Sequence, residues 1–341
     1  MADQAPNSPK RARAWALRIA GTLVFVALLV FLDLRGDLKL EDAFAAIRNA
    51  NPILVILSIA CYVPFLIVKA ARWRIVSGDM RMPVRWPDAW RIYAIGLAAG
   101  TFTPGQAGDA LKAWYLQRMG YPLGRALGGS VLDRIFDVAA LAALGLLGVL
   151  IYGNRFAGQT PALIAWVLAG IVGVAFFVYN PTRTWAVNLV LRRLSKFSEP
   201  ARGDGGAAYS WSLRISTLAY SGLLTLASFA ISIFRVWLLA AAVGVWLNPL
   251  EVSGYVGLTT AAALVPVTVG GVGTRDAISV LALSQIGYVA SQALAVSALI
   301  LLLNLAQAIT GWIIWLRYRP STASIVTETA VASPGRVHER S

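Results

Sequence analysis

The sequence is short of the residues that carry most enzymatic chemistry. Cys61 is its only cysteine, and His338, in a polar C-terminal stretch, is its only histidine. A single cysteine excludes an intrachain disulfide or a cysteine-based zinc cluster. A single tail histidine excludes a Ser/His dyad, an H-E-x-x-H zinc site and a haem ligand pair within the apolar body. No G-x-x-x-x-G-K-[ST] stretch is present, which argues against direct use of ATP. Acidic residues are scarce as well: 16 Asp and Glu stand against 30 Lys and Arg, and charged residues make up 13% of a chain that is 58% hydrophobic. Soluble domains carry about 25% charged residues, so water is not this protein's main solvent. The expectation is a non-enzyme with no catalytic residue, metal or cofactor.

What the chain does have is long apolar runs. A span needs about 20 mostly apolar residues, and six stretches qualify: Trp15 to Leu34, Pro52 to Ala70, Gly128 to Tyr152, Pro161 to Tyr179, Ile215 to Leu247 and Ala293 to Leu316. Met1 to Ala14 is basic like the start of a signal peptide, but no small-residue cleavage site follows, so Trp15 to Leu32 reads as a retained anchor. The formal net charge of +14 is spread between the apolar runs, which fits membrane topology and not a nucleic-acid-binding face. Basic residues gather in alternate loops, and Lys69, Arg72 and Arg74 are counted with one of them. By the positive-inside rule both termini are cytoplasmic, in a bacterial-type plasma membrane.

Two further apolar regions, Ile92 to Met119 and Val252 to Ile286, are broken by Pro and Gly. The first holds Pro104, Gly105, Gly108 and Asp109; the second holds Pro266, Gly270, Gly271, Gly273, Arg275 and Asp276. Pro removes a backbone donor and Gly weakens a helix, so both should unwind. Irregular backbone at membrane depth survives only against protein or a watery cavity, which makes re-entrant hairpins the economical reading. Under one constant offset Pro87, Tyr93 and Pro104 fall on Pro249, Tyr255 and Pro266. Under a slightly larger one Gly120-Tyr121 falls on Gly287-Tyr288 and Ala126-Leu127 on Ala293-Leu294. Three crossings separate the two copies, so they enter from opposite faces, the plan of an inverted repeat.

The expected architecture is therefore all-α and polytopic, with about six full spans and two re-entrant hairpins. A basic tail (1–14) precedes a transmembrane domain (15–318), whose repeat halves lie near 52–152 and 215–316, and a disordered cytoplasmic tail (319–341) follows. Charges inside apolar stretches mark the candidate substrate site, because each costs several kcal/mol in a bilayer. They are Asp109, Lys112, Asp133, Arg134, Asp137, Arg235, Arg275 and Asp276, together with the Pro and Gly of the turns. Two hairpins meeting near the midplane would aim turn amides and helix N-termini at an anion. The structural alternatives are equally open: Asp109 and Asp276 capping their own helices, the cations pairing with Asp to hold the fold, and Asn304 with Gln307 as an interhelical pair. Asp133 and Asp137 repel unless Arg134 or another cation lies near. For Arg72 and Arg74 the favoured reading is snorkelling to the interface.

The run Pro104-Gly105-Gln106-Ala107-Gly108-Asp109-Ala110-Leu111-Lys112, followed by Asp133-Arg134-Ile135-Phe136-Asp137, resembles the flippase-like membrane family of UPF0104 type, related to the transmembrane region of lysylphosphatidylglycerol synthases. Pro266 to Asp276 is similar to that family's second glycine turn. Gln106, Asp109, Lys112 and Asp276 stand where the family usually carries a basic residue, Glu, Arg and Glu. The resemblance implies translocation of an anionic phospholipid or lipid-linked headgroup between leaflets. No aminoacyl-transfer domain follows Leu316, so synthase activity is not expected. Two other roles remain open, a non-transporting partner of a lipid-modifying or glycosyl-transfer enzyme and a small-anion transporter. An intramembrane aspartyl protease is disfavoured, because neither Asp109 nor Asp276 sits in G-x-G-D.

Overall fold

The computed structural model describes residues 40–103, 108–152, 213–264 and 272–318. Both tails and the expected spans Trp15 to Leu34 and Pro161 to Tyr179 lie outside them. The described residues form helices and turns with no strand: α1 (Leu40–Arg48), α2 (Pro52–Ala60), α3 (Tyr62–Asp79), α4 (Trp86–Phe102), α5 (Asp109–Arg118), α6 (Leu123–Tyr152), α7 (Ile215–Ala242), α8 (Pro249–Leu264), α9 (Thr274–Ser284) and α10 (Ala290–Arg317). Four segments are long and apolar enough to cross a membrane: α2 with α3 as one unit, α6, α7 and α10. Their large side chains face outward in bands, such as Ile53, Ile56 and Val63, or Ile309, Trp312 and Leu316. Such exposure suits hydrocarbon and would not suit water.

The helix ends follow from local chemistry. Asn51 caps α2 by accepting from the Ile53 N–H at 3.0 Å, with Pro52 in the first turn. Asn248 and Glu251 form a reciprocal capping box at α8. α3 runs nine residues beyond the Ala70 at which its apolar run ends; its last turns are polar on one side and buried on the other.

Both interrupted regions are helix, break, helix, and in each the two arms lie antiparallel. Gly96 faces Lys112 and Gly100 faces Gly108 between α4 and α5. Tyr255 faces Ser279, and Thr274 donates to Ala262 O, between α8 and α9. Residues 104–107 and 265–271, between the arms, lie outside the described residues. Each returning arm ends alike. Gly120 (φ 96°) and Gly287 (φ 94°) both adopt a left-handed conformation. The following tyrosine N–H bonds back to Leu116 O or Leu283 O.

The helix after each hairpin packs on the first arm of the other hairpin, α6 on α8 and α10 on α4. These crossings depend on small residues. A Cβ on Gly257 would sit 2.3 Å from the Leu144 carbonyl, and one on Gly311 would sit 2.5 Å from the Ala94 carbonyl. α3 and α7 pack against each other between these pairs. That contact carries the site described next.

Candidate functional site

α3 places Tyr62, Phe65, Lys69 and Arg72 at alternating intervals of three and four, which puts all four on one helical stripe. The stripe faces α6 and α7. α6 brings Asp133 and Asp137, one turn apart, to meet it. Arg72 is the hub. Its Nε donates to Asp133 Oδ1 at 2.9 Å and its Nη2 to the Asp133 carbonyl at 3.0 Å. Its Nη1 donates to Asp137 Oδ1 at 2.6 Å and to Thr225 Oγ1, on α7, at 2.8 Å. Lys69 donates to the same Asp137 oxygen. Lys112, from α5, donates to Asp133 Oδ2 at 2.9 Å, and Tyr93, from α4, reaches the same oxygen at 3.3 Å.

Three cations from two helices thus converge on two carboxylates of a third. Arg72 has no exposed surface, and Lys112 and Asp133 have 1% each. Aromatic faces complete the enclosure. Lys112 Nζ lies 4.3 Å from the Tyr93 ring centre, and Lys69 Nζ lies 5.3 Å from that of Phe229. Charges this deep are tolerated because each is paired and hydrogen-bonded, and removing one partner leaves the other stranded. The glycines set the geometry. A Cβ on Gly96 would press within 2.9 Å of Lys112 Cγ, and one on Gly108 would lie 2.2 Å from the Gly100 nitrogen. Gly108 therefore serves the close approach of α4 and α5.

The candidate residues named from the sequence divide into three groups. Lys112, Asp133 and Asp137 are brought together. Arg235, on α7, lies apart from them: its Nε donates to Ser58 O at 3.1 Å, and its guanidinium lies over the Tyr62 and Phe65 rings. Arg275 and Asp276 form a separate group on α9 with Ser297 of α10. Arg275 Nε donates to Ser297 Oγ at 3.0 Å, and Ser297 in turn donates to Asp276. Asp276 also accepts from the Gly273 N–H at 2.8 Å, with Gly273 at φ 101°. Asp276 thus caps the start of its own helix. Arg134 is half-buried on α6, next to Asp133 in sequence. Asp109 is the first residue of α5. Pro104, Gly105, Pro266, Gly270 and Gly271 lie outside the described residues.

Three expectations need correction. Arg72 does not snorkel: it is buried, because α3 continues past Ala70 and turns that face inward. Lys69, counted as a loop residue for topology, is likewise interior. Arg74 folds back onto the Val84 carbonyl at 2.9 Å. Asn304 and Gln307 bond to each other along α10 at 3.4 Å instead of bridging two helices. The cation that Asp133 and Asp137 require is Arg72, with Lys69 and Lys112. Besides Lys69 and Arg72, sequence reasoning missed Tyr93 and Thr225. The three-four spacing of polar and aromatic residues in α3 was the available signal.

Comparison with known proteins agrees with the architecture. Residues 18–311 match the family described as the lysylphosphatidylglycerol synthase TM region. The chain belongs to this family. Two relatives from Methanothermobacter thermautotrophicus, each named "UPF0104 membrane protein", are similar along most of their length. One is 24% identical over 286 residues, covering 77% of this chain and 83% of the relative. The other is 24% identical over 289 residues, covering 76% and 81%. Family membership and the four membrane-length segments together make this a multi-pass, all-α membrane protein.

Proposed function

We propose that this chain moves an anionic phospholipid or lipid-linked headgroup between the leaflets of a cytoplasmic-type membrane, with both termini on the cytoplasmic side and without enzymatic activity of its own. The observation that carries this reading is the buried set of Lys69, Arg72 and Lys112, gathered on Asp133 and Asp137 where two membrane-length segments meet. A phosphate is a direct competitor for such carboxylates, since it offers the same cations equal or greater charge and more acceptor oxygens. Breaking Arg72 or Lys112 from α6 to bind a headgroup frees α6 from α3 and α5. Substrate binding is thereby coupled to helix movement.

The repeat supplies the second half of the mechanism. We read α2 to α6 and α7 to α10 as inverted copies, each containing a hairpin that enters the bilayer from its own side. Support comes from the matched glycine ends at Gly120 and Gly287. The exchanged packing of α6 on α8 and α10 on α4 points the same way, as does the aligned pair Tyr93 and Tyr255, each bonded within its own half. Rocking one copy against the other would expose the charged set to alternate leaflets.

Reconstitution tests this reading. Pure protein in vesicles with fluorescent phosphatidylglycerol should speed leaflet exchange over empty vesicles, and Arg72→Gln should abolish the gain. No acceleration with phosphatidylglycerol or other anionic headgroups, in vesicles that instead pass inorganic phosphate, would replace lipid transport with small-anion transport.

A further inference from the structure

The stripe on α3 does not end at the charged set. It continues through Phe65 and Tyr62 into α2, where Ser58 exchanges hydrogen bonds with Arg235, donating to its carbonyl at 3.0 Å and accepting from its Nε at 3.1 Å. Arg235 is 3% exposed and has no carboxylate within ion-pair range among the described residues. Among the described residues its buried Nη2 finds no hydrogen-bond partner, and neither does the Tyr62 hydroxyl. The guanidinium lies 5.7 Å from the centre of the Tyr62 ring. A buried cationic donor without an acceptor costs several kcal/mol and calls for a ligand. Two such donors on neighbouring side chains, one cationic and one phenolic, have the chemistry to bind the oxygens of a phosphate.

The position is as telling as the chemistry. From Ser58 to Arg72 the stripe rises about 20 Å at 1.5 Å per residue. Arg235 lies near the end of α7 that meets the start of α2, and Arg72 meets α7 two to three turns further along, at Thr225. Phe65 joins the two places, with Lys69 Nζ 5.6 Å and the Arg235 guanidinium 5.4 Å from its ring centre. We infer that Arg235 and Tyr62 form a second anion station, which takes a headgroup phosphate one step along the stripe from the Lys69–Arg72–Lys112 set. This deepens the proposed function and rests on it for the identity of the ligand. The phosphate chemistry would serve a lipid or free phosphate alike.

A site-resolved crosslink tests the station. The protein is placed in vesicles with a phosphatidylglycerol carrying a diazirine on an acyl chain close to the phosphate, or with a diacylglycerol carrying the same diazirine. Adducts are mapped by mass spectrometry. The phosphatidylglycerol probe should label residues 58–65 and 231–238 where diacylglycerol does not. Labelling should fall about tenfold in Arg235→Gln, the weight of one charge-assisted hydrogen bond, and recover in Arg235→Lys. Tyr62→Phe, which removes one oxygen and leaves the packing in place, should lower it by a smaller factor. Equal labelling by both probes, or labelling unchanged in Arg235→Gln and Tyr62→Phe, overturns the station. Loss of the adduct on adding inorganic phosphate at equal concentration overturns the lipid assignment. The crosslink reads occupancy and not movement. An Arg235-dependent adduct in vesicles without leaflet exchange therefore sustains the station and removes only the transport reading.

Discussion

Lys112 and Asp133 meet at 2.9 Å across the junction of α5 and α6, so the returning arm of the first hairpin is tied by charge to the helix that follows it. Asp133 also holds Arg72, which makes it the acid shared between α3 and α5. Asp133→Asn should therefore destabilise the protein more than Lys112→Met, because it takes a carboxylate from two buried cations, Arg72 keeping only Asp137, whereas Lys112→Met leaves Asp133 paired with Arg72. The expected cost is about 3–5 kcal/mol for Asp133→Asn, read as a lowered unfolding midpoint in detergent. In a double-mutant cycle the pair should couple, so that Lys112→Met costs less in the Asp133→Asn background than alone.

Arg72→Lys should fail where charge alone would predict success. The guanidinium reaches Asp133, Asp137 and Thr225 at once through separate nitrogens. A lysine ammonium keeps the charge but lacks the planar fork. The variant should keep part of its stability and lose most of its lipid exchange in the vesicle assay. Exchange at the native rate would show that Arg72 acts only as a charge.

The small-residue contacts give a sharper structural test. A Cβ on Gly108 would meet the backbone of α4 at 2.2 Å, and backbone cannot step aside. Gly108→Ala should cost about 1–3 kcal/mol, the range for overpacking. A Cβ on Gly222, on α7, would meet nothing within 4 Å, so Gly222→Ala should be neutral or gain up to about 1 kcal/mol from helix propensity. Thermal unfolding of the two variants side by side separates the contact from any general intolerance of alanine.

Much of this architecture is legible in the chain. Apolar length locates all four described membrane segments, with their ends shifted by up to nine residues. The Pro and Gly clusters locate both helix breaks. The acidic pair Asp133 and Asp137 announces an unnamed cation. Arg72 escapes notice because an apolar run that ends at Ala70 looks like a span that has reached water, and positive-inside counting rewards basic residues placed just beyond it. The helix continues, however, and a residue's depth is decided by the face it presents as well as by its place along the run. Tyr62, Phe65, Lys69 and Arg72 share one face, which a helical plot of the segment displays. Thr225 carries no such signal: a lone threonine in an apolar helix most often bonds its own preceding turn, as Thr225 also does to Ser221 O.

Gly120 and Gly287 provide a test of the duplication that is independent of transport. Both end a hairpin's returning arm, at φ 96° and 94°, and both precede a tyrosine whose hydroxyl reaches back to a carbonyl ahead of the same hairpin, Pro83 O at 2.7 Å or Trp246 O at 2.8 Å. An alanine at either position must adopt a left-handed backbone, at about 1–2 kcal/mol. If the halves are copies of one unit, Gly120→Ala and Gly287→Ala should lower stability by similar amounts, and the double variant should lose their sum, since the sites share no partner. Tyr121→Phe and Tyr288→Phe should each cost about 1 kcal/mol, and Tyr288→Phe the more of the two, because its hydroxyl also accepts from the Trp246 N–H at 2.9 Å. A large cost in one half and none in the other would mean that the two hairpins, though alike in outline, are held by different interactions.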